Sequence, residues 1–198
     1  MRRAELLKAA LELFSEKGFE NCSLKDLSDK VGVTPGLVYH YFENKHRLLI
    51  AVVEEHGFFQ DCAALIAIHS KLPACKALPK IAAAYYDLLG QKEQIVRIFC
   101  REAMTDEILK SYWVRLINET VSLLSRYLET RISAGELRPH NTEVSARMIL
   151  HPLAMMRLTG ASADAITDLV DCAFAGIQPT EATKPKRKQT CASTKSKK

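Results

Sequence analysis

The stretch Ser23-Leu-Lys-Asp-Leu-Ser-Asp-Lys-Val-Gly-Val-Thr-Pro-Gly-Leu-Val-Tyr-His-Tyr-Phe-Glu-Asn-Lys45 decides the fold. Ser23 is a strong N-cap, and Leu24, Leu27 and Val31 follow at helical spacing until Gly32 breaks the helix. Thr34 can cap a second short helix whose first residue is Pro35, where a missing N–H costs nothing, and Asn44 can cap the next. Two short helices around one glycine predict a helix-turn-helix. In that arrangement the second helix shows its N-terminal face to base edges, while apolar residues behind it pack on the first. Leu27, Val31, Val33, Val38 and Phe42 suit the packed side. Thr34, Pro35, Leu37, Tyr39 and His40 are left for the outer one.

On either side of this stretch the pattern is helical. Leu7, Ala10, Leu11 and Phe14 recur at i, i+3, i+4 and i+7 before Gly18, which predicts one amphipathic helix from Arg2 to Lys17. A helix from Lys45 is expected to run toward His69, with Pro73 as its boundary. Further helices are expected over 78–89, 91–104 and 105–133, the last with a buried stripe of Leu109, Trp113, Leu116, Leu123 and Tyr127. Two more are expected, from Asn141 to Leu158, where Pro152 should kink or shorten the helix, and after Gly160. The prediction is an all-α chain of about nine helices.

Bulk properties narrow the function classes. Of 198 residues, 47% are hydrophobic and 26% charged, as in ordinary globular domains. No apolar run approaches the roughly 20 residues of a membrane helix, and the charged start lacks the continuous apolar stretch of a secretory signal. A cytoplasmic location, away from membranes, is expected. Seven of the 28 basic residues fall in the last fifteen positions, which leaves the remainder slightly acidic against its 23 carboxylates. Contact with nucleic acid must then come from a local patch. Residues 179–198 lose all large hydrophobic side chains and are expected to be a disordered basic tail. Six scattered cysteines, no H-E-x-x-H, no G-x-S-x-G elbow and no P-loop argue against metal binding, a cofactor or an enzyme.

The N-terminal residues carry a specific resemblance. Ala9-Ala10-x3-Phe14-x3-Gly18, then Gly32-Val33-x5-Tyr39-x2-Phe42-x2-Lys45-x2-Leu48, together resemble the tetracycline-repressor (TetR) family of bacterial regulators over about residues 4 to 55. The resemblance implies a three-helix DNA-binding domain at 1–45 and a helical ligand-binding and dimerisation domain at 46–178. It places Tyr39 and Lys45 on the phosphate backbone, with Ser23 and Lys25 as further backbone contacts. Thr34, Pro35, Gly36, Leu37 and His40 match the recognition positions; His40 is suited to hydrogen bonding and Leu37 to a thymine methyl.

In the body, the resemblance implies that the last helices form a homodimer interface, for which Val144, Met148, Met155, Ile166, Leu169, Val170, Ala173, Phe174 and Ile177 supply an apolar stripe. The alternative for such residues is the protomer's own core. Phe59, Tyr85, Tyr86, Phe99, Trp113 and Asn118 are candidate pocket residues, with His69, Arg97 and Arg101 as further polar or aromatic anchors. The expected function is a DNA-binding transcriptional regulator, a dimeric repressor on a palindromic operator released by a small-molecule effector. The competing expectation is a DNA-binding adaptor whose body binds a protein partner.

Overall fold

The computed structural model describes residues 2–57, 59–162 and 164–178. The expected basic tail at 179–198 lies outside the described residues, as does Cys191. Ten helices are seen among the described residues: α1 Arg2–Lys17, α2 Leu24–Val31, α3 Pro35–Tyr41, α4 Lys45–His56, α5 Phe59–His69, α6 Ala74–Gln91, α7 Glu93–Glu102, α8 Glu107–Ser133, α9 Thr142–Thr159 and α10 Asp164–Ile177. The chain is all-α as expected, with one helix more because the long fourth helix is divided at Gly57.

Gly57 ends α4 with its amide on the Val53 carbonyl, and a Cβ placed on it would lie 2.6 Å from that same carbonyl oxygen. Only a residue without a side chain fits so close to backbone. Gly57→Ala is expected to destabilise the protein by about 1–3 kcal/mol, read from the urea unfolding midpoint.

The helices form two structural units. The first takes the described residues within Met1–Asp61 and Leu88–Glu119, the second those within Cys62–Asp87 and Thr120–Lys198. In the first unit α1 is central and packs against α2, α4 and α7, while α2 packs on α3. Leu6, Leu7, Ala10 and Phe14 of α1 are buried with Leu27, Val38, Leu48, Leu49, Val52, Ile95, Ile98 and Phe99. Sequence-local caps set most boundaries. Asn44 Oδ1 accepts the Arg47 amide at 2.9 Å at the start of α4. Asn141 Oδ1 accepts the Val144 amide at 3.0 Å at the start of α9, and left-handed Gly160 ends that helix.

In the second unit α6 begins four residues before the expected Leu78, because a distant carboxylate caps it: Glu136 Oε2 accepts the Ala74 amide at 2.7 Å. Arg131 holds the other oxygen of Glu136 at 3.2 Å. Ser125 and Thr142 share a buried hydrogen bond of 2.8 Å between α8 and α9. The Tyr127 hydroxyl donates to the Leu72 carbonyl at 3.2 Å, and burial pushes its pKa up to about 12. α9 passes through Pro152 and continues to Thr159, with Ile149, Leu150 and Leu153 buried around the proline.

Candidate nucleic-acid interface

Residues 23–45 form the expected helix-turn-helix, and its geometry follows from local chemistry. Ser23 and Asp26 make a reciprocal capping box: Ser23 Oγ accepts the Asp26 amide at 3.1 Å, and Asp26 Oδ2 accepts the Ser23 amide at 2.7 Å. The Ser23 hydroxyl also donates to Asp26 Oδ2 at 2.5 Å. That side-chain hydrogen bond, followed by the backbone one, holds the Asp26 pKa below its usual value. Gly32 adopts φ 70°, a left-handed conformation that glycine reaches without strain, and its amide and that of Val33 return to the carbonyls of Asp29 and Ser28. The turn is therefore a helix C-cap that reverses the chain directly into α3.

α3 is pinned by one side and open on the other. Val38 and the following Phe42 are buried, together with Leu24 and Leu27, whereas Val31 and Val33 are half-buried. Thr34, Pro35, Gly36, Tyr39 and His40 are exposed, Tyr39 to 58%, and Leu37 is half-buried. Thr34 stands at the N-cap position, but its hydroxyl makes no cap hydrogen bond. A Cβ on Gly36 would meet nothing within 4 Å, so the start of α3 presents bare backbone. Lys25 is exposed on α2.

Lys45 is placed differently from a freely projecting phosphate ligand. Its ammonium donates to the carbonyls of Phe19 at 2.9 Å and Glu20 at 3.3 Å, and sits 4.3 Å from the centre of the Phe19 ring. It closes the turn after α1 as a clamp. Lys45→Ala is expected to lower stability by about 1 kcal/mol, with a shift in the melting temperature as the check; an unchanged melt would contradict the clamp.

Phe19, Arg101, Glu102, His46 and Asp106 complete a corner around buried Phe19 and Glu102 that sequence reading did not single out, except for Arg101 as a pocket anchor. Phe19 is fully buried, edge-on to Phe14 at 5.5 Å and to His46 at 4.9 Å between ring centres. The Phe19 amide donates to Glu102 Oε1 at 3.0 Å, and Arg101 Nε donates to the same oxygen at 2.8 Å. Arg101 also reaches the Phe14 carbonyl at the end of α1, so it clamps a helix terminus instead of lining a pocket. His46 Nε2 lies 2.7 Å from Asp106 Oδ2. Burial opposes the charged form of Asp106, but the Leu109 amide, His46 and the Ile108 amide outweigh it and hold the pKa below the usual aspartate value.

The expected body sites divide. Phe99 is fully buried and stacks on half-buried Trp113 at 4.8 Å, while Phe59 is half-buried and Asn118 exposed, all in the first unit. Tyr85 and Tyr86 are buried in the second unit, where burial raises the Tyr85 pKa and the Tyr86 hydroxyl donates to the Ala161 carbonyl at 2.8 Å. Arg97 pairs with Glu93 on its own helix at 2.6 Å. A groove of about 370 Å³ in the first unit is lined by Arg3, Tyr41, Arg47, Ile50, Glu54 and Tyr112 among others, and by none of the six candidate pocket residues. Of the expected interface residues, Val144, Met148 and Met155 are exposed on α9. Ile166, Val170 and Ile177 of α10 are buried, and Leu169, Ala173 and Phe174 half-buried.

Among the described residues no group of three or more metal-binding side chains comes together, and no helix is long and apolar enough to cross a membrane. Cys22, Cys100 and Cys172 are free thiols.

Residues 6–52, spanning α1 through most of α4, match the family model described as bacterial regulatory proteins, tetR family. Over that segment the chain is similar to the tetR family. Among similar proteins, the HTH-type transcriptional regulator UidR of Escherichia coli K12 is 24% identical over 152 residues, covering 75% of this chain and 76% of UidR. A tetR-family regulatory protein from Rhodococcus RHA1 shares the fold with a TM-score of 0.72 at 19% identity, over 89% of this chain and 96% of that one. FadR of Bacillus subtilis, solved in complex with stearoyl-CoA, shares it with a TM-score of 0.67 at 22% identity, over 87% and 94% of the two chains.

Proposed function

We propose that this chain is a transcriptional repressor that binds a near-palindromic operator as a homodimer in the cytoplasm, is released by a small-molecule effector, and catalyses no reaction. The observation that carries the reading is α3: Val38 anchors it from beneath, while Thr34, Pro35, Gly36, Tyr39 and His40 are exposed to solvent. We assign residues 1–45 to DNA binding and 46–178 to the effector-binding and dimerising body. In this reading His40, with Thr34, Pro35, Gly36 and Leu37, faces base edges, and Tyr39 with Ser23, Lys25 and Lys45 meets phosphate. For Ser23 and Lys45 that contact competes with bonds they already make inside the protein.

Two such modules related by a two-fold axis address major grooves about 34–36 Å apart. An effector that favours a different spacing by about 1–3 kcal/mol would release the operator. The stearoyl-CoA held by FadR supports a small molecule as the effector class. Selection of bound sequences from a random duplex pool at physiological salt is expected to recover an inverted repeat. Recovery of no motif, with binding that vanishes as salt rises, would refute the operator-binding reading.

A further inference from the structure

The groove on the first unit has a polarity of its own. Along α4, Arg47, Ile50, Ala51 and Glu54 share one face, within an arc of about 100° at 100° per residue, and all four line the groove. A guanidinium therefore stands at one end, an apolar middle follows, and a carboxylate stands about two turns further on. Tyr41, 38% exposed at the end of α3, and half-buried Tyr112 of α8 add aromatic walls. At about 370 Å³ the groove has the size of a small-molecule site.

Its arginines are bonded differently from others in the chain. Arg97, Arg101, Arg131, Arg138 and Arg147 each donate side-chain hydrogen bonds to protein oxygens. Among the described residues the guanidiniums of Arg3 and Arg47 donate none, and the carboxylates they approach, those of Glu55 and Glu43, lie 3.8 and 4.0 Å away. Arg3 is held 5.8 Å from the centre of the Phe42 ring. The Glu43 side chain is 79% exposed, so Arg47 keeps its planar fork of donors for a bidentate carboxylate. Glu54 is exposed, and among the described residues its carboxylate makes no ion pair or hydrogen bond, which leaves it as an acceptor for a cation. Two arginines and two glutamates line the groove, so it carries no net charge. That balance disfavours a polyanion such as a nucleic-acid backbone and suits a molecule with one charge of each sign.

We propose that the groove binds a small aromatic zwitterion, with its carboxylate on Arg47, its ring against Ile50, Tyr41 and Tyr112, and its ammonium at Glu54. Each part of such a molecule meets a surface of matching chemistry, and neither a simple acid nor a simple amine meets all three. None of the six candidate pocket residues takes part, so the site is separate from the effector pocket expected from them. Tyr41 ends α3 and Arg47 lies in the first turn of α4, so a bound molecule touches the end of the reading helix. Binding here is independent of the operator reading, since it is measured without DNA.

The test is isothermal titration calorimetry of the full chain with 4-(aminomethyl)benzoate as the probe. Binding is expected with a dissociation constant below about 1 mM, and benzoate and benzylamine, which each lack one of the charges, should bind at least about ten-fold more weakly. Arg47→Glu and Glu54→Arg should each weaken binding of the probe by at least about ten-fold. The double variant that exchanges the two charges should recover it, because the probe can then lie in the opposite direction. Both positions are exposed, and an acid in the first turn and a base in the last turn of α4 agree with the helix dipole, so the variants should fold; circular dichroism checks this. A parent that does not bind the probe, or that binds benzoate equally well, overturns the site. Single variants that bind as the parent does, or a double variant that recovers nothing, overturn it as well.

Discussion

Phe19→Ala is expected to cost about 3–5 kcal/mol, the range for emptying a fully buried aromatic site, and to bring the protein near its unfolding threshold at physiological temperature. The size follows from how many groups use this one ring. Phe14 and His46 meet its edge or face, and the Lys45 ammonium lies 4.3 Å from its centre. Its backbone is engaged at both ends, the amide by Glu102 and the carbonyl by Lys45. Phe19→Leu keeps most of the volume and loses the ring electrostatics, so a smaller loss of about 1–2 kcal/mol is expected. Urea unfolding of both variants checks the ordering; equal losses would mean that the ring's contacts with Lys45 and His46 contribute little.

Substitutions on the open face of α3 are expected to spare stability and alter DNA binding. Tyr39→Ala should weaken binding to all duplexes alike, by roughly 10- to 100-fold, because a phosphate contact carries no sequence information, and should leave the salt dependence unchanged, because a phenol carries no charge. His40→Ala should cost about 1–3 kcal/mol on the selected operator and relax preference at one base position per half-site. Titrations against the operator and its single-base variants, at two salt concentrations, separate the two behaviours. If both variants bind every sequence as the parent does, the assignment of α3 as the reading helix is wrong.

The fold was legible where its causes are local. Ser23 with Asp26, Gly32, Asn44, Asn141 and Gly160 each set a helix end through bonds to residues at most four or five positions away, and all are readable in the chain. The corner around Phe19 was not, since Glu102 reaches it from 83 residues on. The start of α6 was missed for the same reason, its cap lying 62 residues away in Glu136. In α8 the expected stripe of Trp113, Leu116 and Leu123 is only half-buried, while Val121, Leu124, Tyr127 and Leu128 are buried. One helix there serves two structural units, and no single stripe describes both. On α10 the apolar periodicity was real, but periodicity shows which face is apolar and is silent on what covers it. Arg101 was misplaced because an arginine near a helix end reads equally well as a pocket anchor or as a cap for another helix.

The division of the chain also bears on how the protein is made. The unit that holds the DNA-reading module closes only when residues 88–119 join 1–61, and α7 supplies Ile95, Ile98, Phe99 and Glu102 to it. On the ribosome, at about 5–20 residues per second, the N-terminal helices emerge seconds before the segment that covers α1. Through that interval the apolar side of α1 is open to chaperones or to neighbouring nascent chains. A fragment cut after α4 would keep that nascent condition permanently, and it would be expected to aggregate where the whole chain does not.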